Sequence, residues 1–388
     1  MNNPLTVLTT DQLRARRSLK WRAYEPDVLP VWIAEMDTPL AEPIADALRQ
    51  AIAMGDTGYA HAGGLPSAFS AFSEWAWGWS PDPALMVVVP DVVTGLAEVV
   101  KVTTEPGDGI AVNTPVYPPF FSVVRDTGRR IVESPLVLDA DGRYQLDLEA
   151  LGRDLARPDV TAYMLCNPHN PSGLVLSNDE VRAVSALAGR YGVRVISDEV
   201  HAPLIYPGRQ HTPFGKVAGA GAGIVVTSAS KAWNLAGLKA SLIIACGAEG
   251  WLAVNRIPAA PTFGTALFGV IAGEAAYRAG ITWLSALVAG LDHNRQLLAD
   301  LLAEHLPNVG YTPPDSTFLA WLDLRPLRLG DDPAAVLLDR GRVALANGPN
   351  FGDLGRGFAR FNFGTSPELL TEAVRRMATA VADFSRRS

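Results

Sequence analysis

The sequence predicts an α/β protein built on a doubly wound, mostly parallel sheet, with a smaller α+β domain toward the C-terminus. Three observations lead there. From about residue 86 to 230, short β-branched runs alternate with longer helical patterns. The short runs are hydrophobic almost throughout, as strands covered on both faces must be. A polar cluster follows each run, at the edge where open α/β sheets bind ligands.

Taken in chain order, strands are expected at Met86–Val89, Gly109–Val112, Thr161–Cys166, Val193–Ser197 and Gly223–Thr227. Ser177-Asn178-Asp179-Glu180 is a capping-box pattern, opening a helix that ends near Gly192. Residues 266–306 read as one long amphipathic stretch of helix, followed by a strand at Phe318–Leu322 and a last helix at Pro367–Ser385. The expected organisation is an N-terminal arm (1–40) packing with the small domain, a large domain (41–270) and a small domain (271–388). Phe69, Phe72, Trp75, Trp77 and Trp79 read as core or dimer packing.

Composition excludes several classes. The 388 residues suit two domains at roughly 100–200 residues each. With 48% hydrophobic and 19% charged residues the chain is not a disordered one. The net charge, 33 − 40 = −7, comes with no basic block, so neither nucleic acid nor an anionic membrane is an expected partner. Cys166 and Cys246 are too few for a disulfide framework or a thiolate metal site, and no metal is expected. With no apolar signal segment and no run of 18 apolar residues, a reducing cytoplasm is the expected setting.

The polar clusters carry the chemistry. Asp91-Val92-Val93 follow the first strand, Asn113-Thr114-Pro115-Val116-Tyr117 the second, and Asn167-Pro168-His169-Asn170-Pro171-Ser172-Gly173 the third. Asp198, Glu199 and His201 follow the fourth, and Ser228-Ala229-Ser230-Lys231 the fifth. Lys231, one of only five lysines, is either a surface lysine or a partly desolvated amine able to attack a carbonyl. Asp198 follows a strand that should be buried and needs a cation or strong donors there: a pyridinium nitrogen, an arginine or a helix cap. Ser228, Ser230, Lys239 and the amides after Asp91 suit either a phosphate or plain turn chemistry. Tyr117 is a core residue or a stacking face, and Asn170 sits in a loop held by prolines and glycine.

Together these clusters resemble the fold-type I pyridoxal-phosphate (PLP) enzymes of the class I/II aminotransferase superfamily, and within it the cystathionine β-lyase branch of MalY/PatB type. The resemblance runs over nearly the whole chain. It rests on Leu29-Pro-Val-Trp-Ile-Ala-Glu-Met-Asp37, Gly58-Tyr59 with Gly64-Leu65-Pro66, Asn113-Thr-Pro-Val-Tyr-Pro-Pro119, Asn167-Pro-His-Asn-Pro-Ser-Gly173, Ser197-Asp-Glu-Val-His201, Ser230-Lys-Ala-Trp-Asn-Leu-Ala-Gly-Leu238 and Arg360-Phe-Asn362. It implies a seven-stranded sheet in the large, PLP-binding domain, and a homodimer with active sites at the subunit interface.

The resemblance also implies roles. Lys231 would hold PLP through its amine and then move the substrate α-proton, and Asp198 would keep the ring nitrogen protonated. Asn170 and His201 would meet the ring's phenolic oxygen, and Tyr117 would stack on the ring. Ser228, Ser230, Lys239 and the amides of Val92 and Val93 would bind the phosphate, which Tyr59 would reach from the neighbouring subunit. Arg360 would clamp the substrate carboxylate, with Tyr117, Asn170 and Ala34 around the substrate. The implied reaction is α,β-elimination from L-cystathionine or a related L-cysteine S-conjugate, giving pyruvate, ammonia and a thiol. An aminotransferase on the same scaffold is the alternative, and a catalytically silent interaction protein a third. The chain departs from its relatives at Thr38, Pro203, Lys239 and Gly364-Thr-Ser-Pro367. None of these removes a core catalytic group, but Thr38 and Pro203 bear on the substrate pocket.

Overall fold

A computed structural model describes residues 3–386. The chain divides into two compact units. One runs to Pro39, adds Asn170–Gly173 and resumes at Ser285; the other comprises Leu40–His169 and Leu174–Leu284.

The second unit holds a seven-stranded sheet of β1 (Met86–Val89), β2 (Gly109–Val112), β3 (Arg130–Glu133), β4 (Val160–Cys166), β5 (Arg194–Asp198), β6 (Ile224–Thr227) and β7 (Ser241–Ala245). Its spatial order is β1-β7-β6-β5-β4-β2-β3. β7 is antiparallel to both of its neighbours and every other pair is parallel. The two reversals at β7 leave β1 pointing the same way as the other five, so six carboxyl ends open on one edge. The expected strands stand to within a residue at their ends. β3 and β7 add to them: β3 reads Arg-Ile-Val-Glu, an edge strand that lacks the continuous apolar run of the buried ones.

Helix α1 (Val92–Thr103) follows β1 and is N-capped by Asp91, whose carboxylate accepts from the Thr94 amide at 2.8 Å. Helix α2 (Asn178–Tyr191) has both bonds of the expected capping box, between Ser177 and Glu180, and ends at Gly192 with φ +67°. Val89, Ile110, Val112, Met164, Ile196, Val226 and Ile243 from the strands pack against Leu96, Val99 and Val100 of α1. Each such side chain stabilises the fold by about 1.5–3 kcal/mol. The core holds the strand ends, and with them the polar clusters, in fixed register.

One expectation is corrected. Residues 266–306 form two helices, α3 (Leu267–Ala279) and α4 (Ile281–His305), because Gly280 interrupts them. The Trp233 indole donates to the Gly280 carbonyl at 3.1 Å, and a Cβ at Gly280 would lie 2.4 Å from that nitrogen. Of the aromatic set, Phe69, Phe72, Trp77 and Trp79 are buried, and Phe72 packs on Trp233 and Tyr277. Trp75, on the outer face of the same helix, is 64% exposed.

The first unit contains an antiparallel sheet of β8 (Leu319–Asp323), β9 (Ala346–Asn347) and β10 (Phe358–Asn362), ordered β8-β10-β9. The strand expected at Phe318–Leu322 is β8, one residue later. Leu29–Pro30 pairs in parallel with Val343–Ala344, and α5 spans Pro367–Ser385 with Ser366 as N-cap. The segment after Pro30 is tied down by an ion pair: Lys20 Nζ lies 2.8 Å from Asp37 Oδ2, both residues being 1% exposed. Asp37 Oδ1 accepts from the Trp21 indole at 2.9 Å. Removing one member of such a pair strands a buried charge. Lys20→Met is therefore expected to lower unfolding stability by about 3–5 kcal/mol, read from urea denaturation midpoints, and Lys20→Met/Asp37→Leu to recover most of that. A single variant within about 1 kcal/mol of the parent would refute this account.

Candidate active site

The sheet edge of the second unit gathers the expected groups from four strand ends. Asp198, the last residue of β5, is 4% exposed. Its Oδ1 accepts from the Val200 amide at 3.1 Å. Burial pushes its carboxyl up to about 7, and the charge of Glu199 adds to this; the Val200 amide and the positive charge of Lys231 oppose it. Lys231 follows β6 and is half-buried. Asp198 is thus a carboxylate out of water beside an amine, in a site that favours a further cation. Its neighbour Glu199 is fully engaged. It accepts from Ser197 Oγ at 2.9 Å and the Phe214 amide at 2.8 Å, and its Oε2 is 3.0 Å from His211 Nε2. These bonds fix the backbone that carries Asp198.

His201 lies in the turn after β5, 2% exposed. Tyr117, after β2, is half-buried and packs against the core beneath α1, as do Val92 and Val93. His169, in the cluster after β4, is buried with Nε2 3.3 Å from the Asn113 carbonyl, and burial lowers its pKa to about 4, so it stays neutral.

The N-terminus of α1 has the polarity that suits an anion. The first amides of a helix have no acceptor within it, and the helix dipole adds partial positive charge. Lys239 Nζ reaches this end, 3.0 Å from Asp91 Oδ2. Lys239 has φ +56°, a left-handed conformation uncommon for a side-chain-bearing residue. Ser228 Oγ donates to the Ala240 carbonyl at 2.7 Å and accepts from the Ser230 amide at 3.0 Å, tying the Lys231 turn to the Lys239 turn. Tyr59 is 94% exposed.

In the first unit, Arg360 sits in the central strand β10 and is 5% exposed. Its Nη1 donates to Asn170 Oδ1 at 2.9 Å and its Nη2 to the Trp32 carbonyl at 3.1 Å. Asn362 Nδ2 donates to the carbonyls of Ile33 and Glu35, at 2.7 and 2.6 Å, bracketing buried Ala34. Arg360, Asn170 and Ala34 therefore belong to one hydrogen-bonded assembly built around β10. The Asn170 loop is held close by Gly173 at φ +70°, where a Cβ would lie 2.2 Å from Pro314 Cβ.

A family model described as aminotransferase class I and II matches residues 28–377. The chain belongs to this family. It is 37% identical to cystathionine beta-lyase PatB of Bacillus subtilis (strain 168), over 92% of this chain and 93% of that protein. It is 35% identical to a cystathionine beta-lyase of Corynebacterium glutamicum, over 96% and 98%. Among solved structures, the PLP-bound C-S lyase from Staphylococcus hominis matches with a TM-score of 0.90 at 26% identity, covering 98% of this chain and 99% of that one. The seven-stranded, mostly parallel sheet is the fold shared with these relatives.

Each unit also contains groups that residue patterns alone do not single out. The Asp91 carboxylate caps α1 and pairs with Lys239; the spacing Asp91-x-x-Thr94 is the visible signal, an N-cap pattern. Trp32 acts through its carbonyl, and backbone groups leave no signature in side-chain identity.

Proposed function

We propose that this chain is a PLP-dependent carbon–sulfur β-lyase that eliminates the thiol from L-cystathionine or a related L-cysteine S-conjugate. The observation that carries the reading is Asp198, a buried carboxylate raised to about 7 beside the Lys231 amine. A protonated ring nitrogen would give this carboxylate a second cationic partner, and the Lys231 amine would hold the cofactor's aldehyde carbon until the substrate amine replaces it. The anion cradle of Lys239, Ser228, Ser230 and the Val92 and Val93 amides suits a phosphate ester, and half-buried Tyr117 suits a flat ring. The residues present fit PLP. Relatives named as cystathionine beta-lyases support the same reading.

When bound, PLP supplies an electron sink for the Cα electron pair. The protein's residues do the rest. Arg360 binds the substrate carboxylate, and Lys231 takes the proton from Cα. The Cα electron pair forms a Cα=Cβ bond as the Cβ–S bond breaks and the thiolate departs. Hydrolysis of the resulting enamine yields pyruvate and ammonia. Asp198 would hold the ring-nitrogen proton, and Asn170 and His201 would hydrogen-bond the ring's phenolic oxygen. Exposed Tyr59 would reach the phosphate held by a second subunit, and the working protein would be a homodimer. Two thiols and no expected disulfide suit a cytoplasmic setting.

The test is purified protein with L-cystathionine and no keto acid. Pyruvate and free thiol released in equal amounts over many turnovers establish elimination. No pyruvate, but glutamate formed when 2-oxoglutarate and an amino donor are supplied, replaces the lyase reading with that of an aminotransferase. Arg360→Lys is expected to raise KM about ten- to hundredfold with a smaller change in kcat, because an ammonium cannot reproduce the bidentate fork. An unchanged KM would remove Arg360 from carboxylate binding.

A further inference from the structure

Resting on the reading of Arg360 as the carboxylate clamp, we infer that Phe351 is a positioning residue for substrate binding. Its ring holds the plane of the Arg360 guanidinium, and Trp321 and Phe358 hold the ring.

The geometry is a continuous run of ring contacts. Arg360 Cζ lies 5.1 Å from the Phe351 ring centroid. Phe351 lies 5.1 Å from Trp321, tilted by 56°, and Trp321 lies 5.2 Å from Phe358, stacked at 9°. Arg325 Cζ closes the far end, 4.7 Å over Phe358, and is itself pinned by Asp323 through bonds of 2.8 and 2.6 Å. Strand register makes this possible. Trp321 on β8 is directly opposite Arg360 on β10, and Phe358 precedes Arg360 by two residues, so all three lie on one face of the sheet. Phe351 comes from the turn Gly348–Phe351, fixed by Asn347, whose Oδ1 accepts from the Asn350 amide at 3.3 Å and whose Nδ2 donates to Asp332.

The stack does something the hydrogen bonds cannot. The acceptors Asn170 Oδ1 and Trp32 O restrain the guanidinium in its own plane. The Phe351 ring, with Arg360 Cζ over it, restrains the group from a further direction through packing and cation–π attraction, which is strongest where water is excluded. Phe351 and Trp321 are 2% and 8% exposed, so the contact is dry. A two-pronged bond to a carboxylate needs the fork's plane to match the carboxylate's. A residue that fixes this plane sets affinity without touching the reacting atoms.

Mere core filling predicts a different result. Leucine would then replace Phe351 at a cost in melting temperature alone. The experiment measures kcat, KM and melting midpoint with L-cystathionine for the PLP-loaded enzyme and for Phe351→Leu, Phe351→Tyr, Phe358→Leu and Arg360→Lys. Phe351→Leu is expected to raise KM about three- to thirtyfold with kcat within about twofold. Phe351→Tyr, which keeps the ring, is expected to stay near the parent. Phe358→Leu loosens the stack from its far end and should raise KM by a smaller factor, about two- to fivefold; it carries the test if Phe351→Leu does not fold. Raised KM in Arg360→Lys together with parental KM in Phe351→Leu, or in Phe358→Leu if only that variant folds, overturns the inference and leaves the clamp intact. Parental KM in Arg360→Lys overturns the clamp reading, and this inference with it.

Discussion

Lys231→Ala is expected to abolish pyruvate release from L-cystathionine, with kcat lower by at least about 10³-fold, while the protein still melts cooperatively. A positioned side chain that moves a proton contributes about 10²–10⁴-fold by itself, and this lysine is also the amine that would hold the cofactor. The chain's other lysines, Lys20, Lys101, Lys216 and Lys239, are each already engaged. Lys20 is buried against Asp37, Lys101 pairs with Glu98, Lys216 donates to the Trp77 carbonyl and Lys239 pairs with Asp91. After borohydride reduction, the parent should keep PLP through gel filtration in denaturant, and the variant should lose it. Residual turnover above a few per cent of the parent would show that Lys231 is not the proton-transferring base.

Much of this site was legible because its parts sit where chain periodicity changes. Each cluster begins where an apolar run of four to seven residues stops, and the strand ends therefore mark Asp198 and Lys231 to within a residue or two. The capping box at Ser177–Glu180 and the glycine at 192 bound α2 by local chemistry alone. What the residues hide is what depends on partners distant in sequence. Gly280 breaks a helical pattern because Trp233, 47 residues earlier, occupies the space. Trp75 shares the aromatic composition of its helix yet faces outward, since composition does not give a helix its orientation. The Asp91–Lys239 pair spans 148 positions, and the stack behind Arg360 joins two strands and a turn. Motif residues are read from local sequence, whereas the residues that hold them in place are read from the packing.

Asp198→Asn separates the catalytic and structural roles of the buried carboxylate. Turnover should fall about 10²–10³-fold, the range for losing one preorganised electrostatic group, because a neutral amide does not keep the ring nitrogen protonated. Stability of the cofactor-free protein should move the other way. The Asp198 carboxyl titrates near 7 when folded, against 3.8 for its unperturbed value. A folded pKa raised above the unfolded one means that the folded state holds the extra proton. The contribution to stability is therefore present in full below about pH 4 and is lost as pH rises through 7. For this shift the loss approaches about 4 kcal/mol. His169 acts oppositely: lowered to about 4, it contributes stability that is present above its unfolded pKa of 6.5 and lost as pH falls through 4. It is common to parent and variant, and cancels in their difference. Without cofactor, Asp198→Asn should match the parent near pH 4 and exceed it at pH 8, with the gap opening between the two. Saturating PLP should close the gap by stabilising the parent more, since only the carboxylate gains a cationic partner. A pH-independent difference in denaturation midpoints, or a variant weaker than the parent at pH 8 without PLP, would show that the buried carboxylate is already compensated by the protein alone.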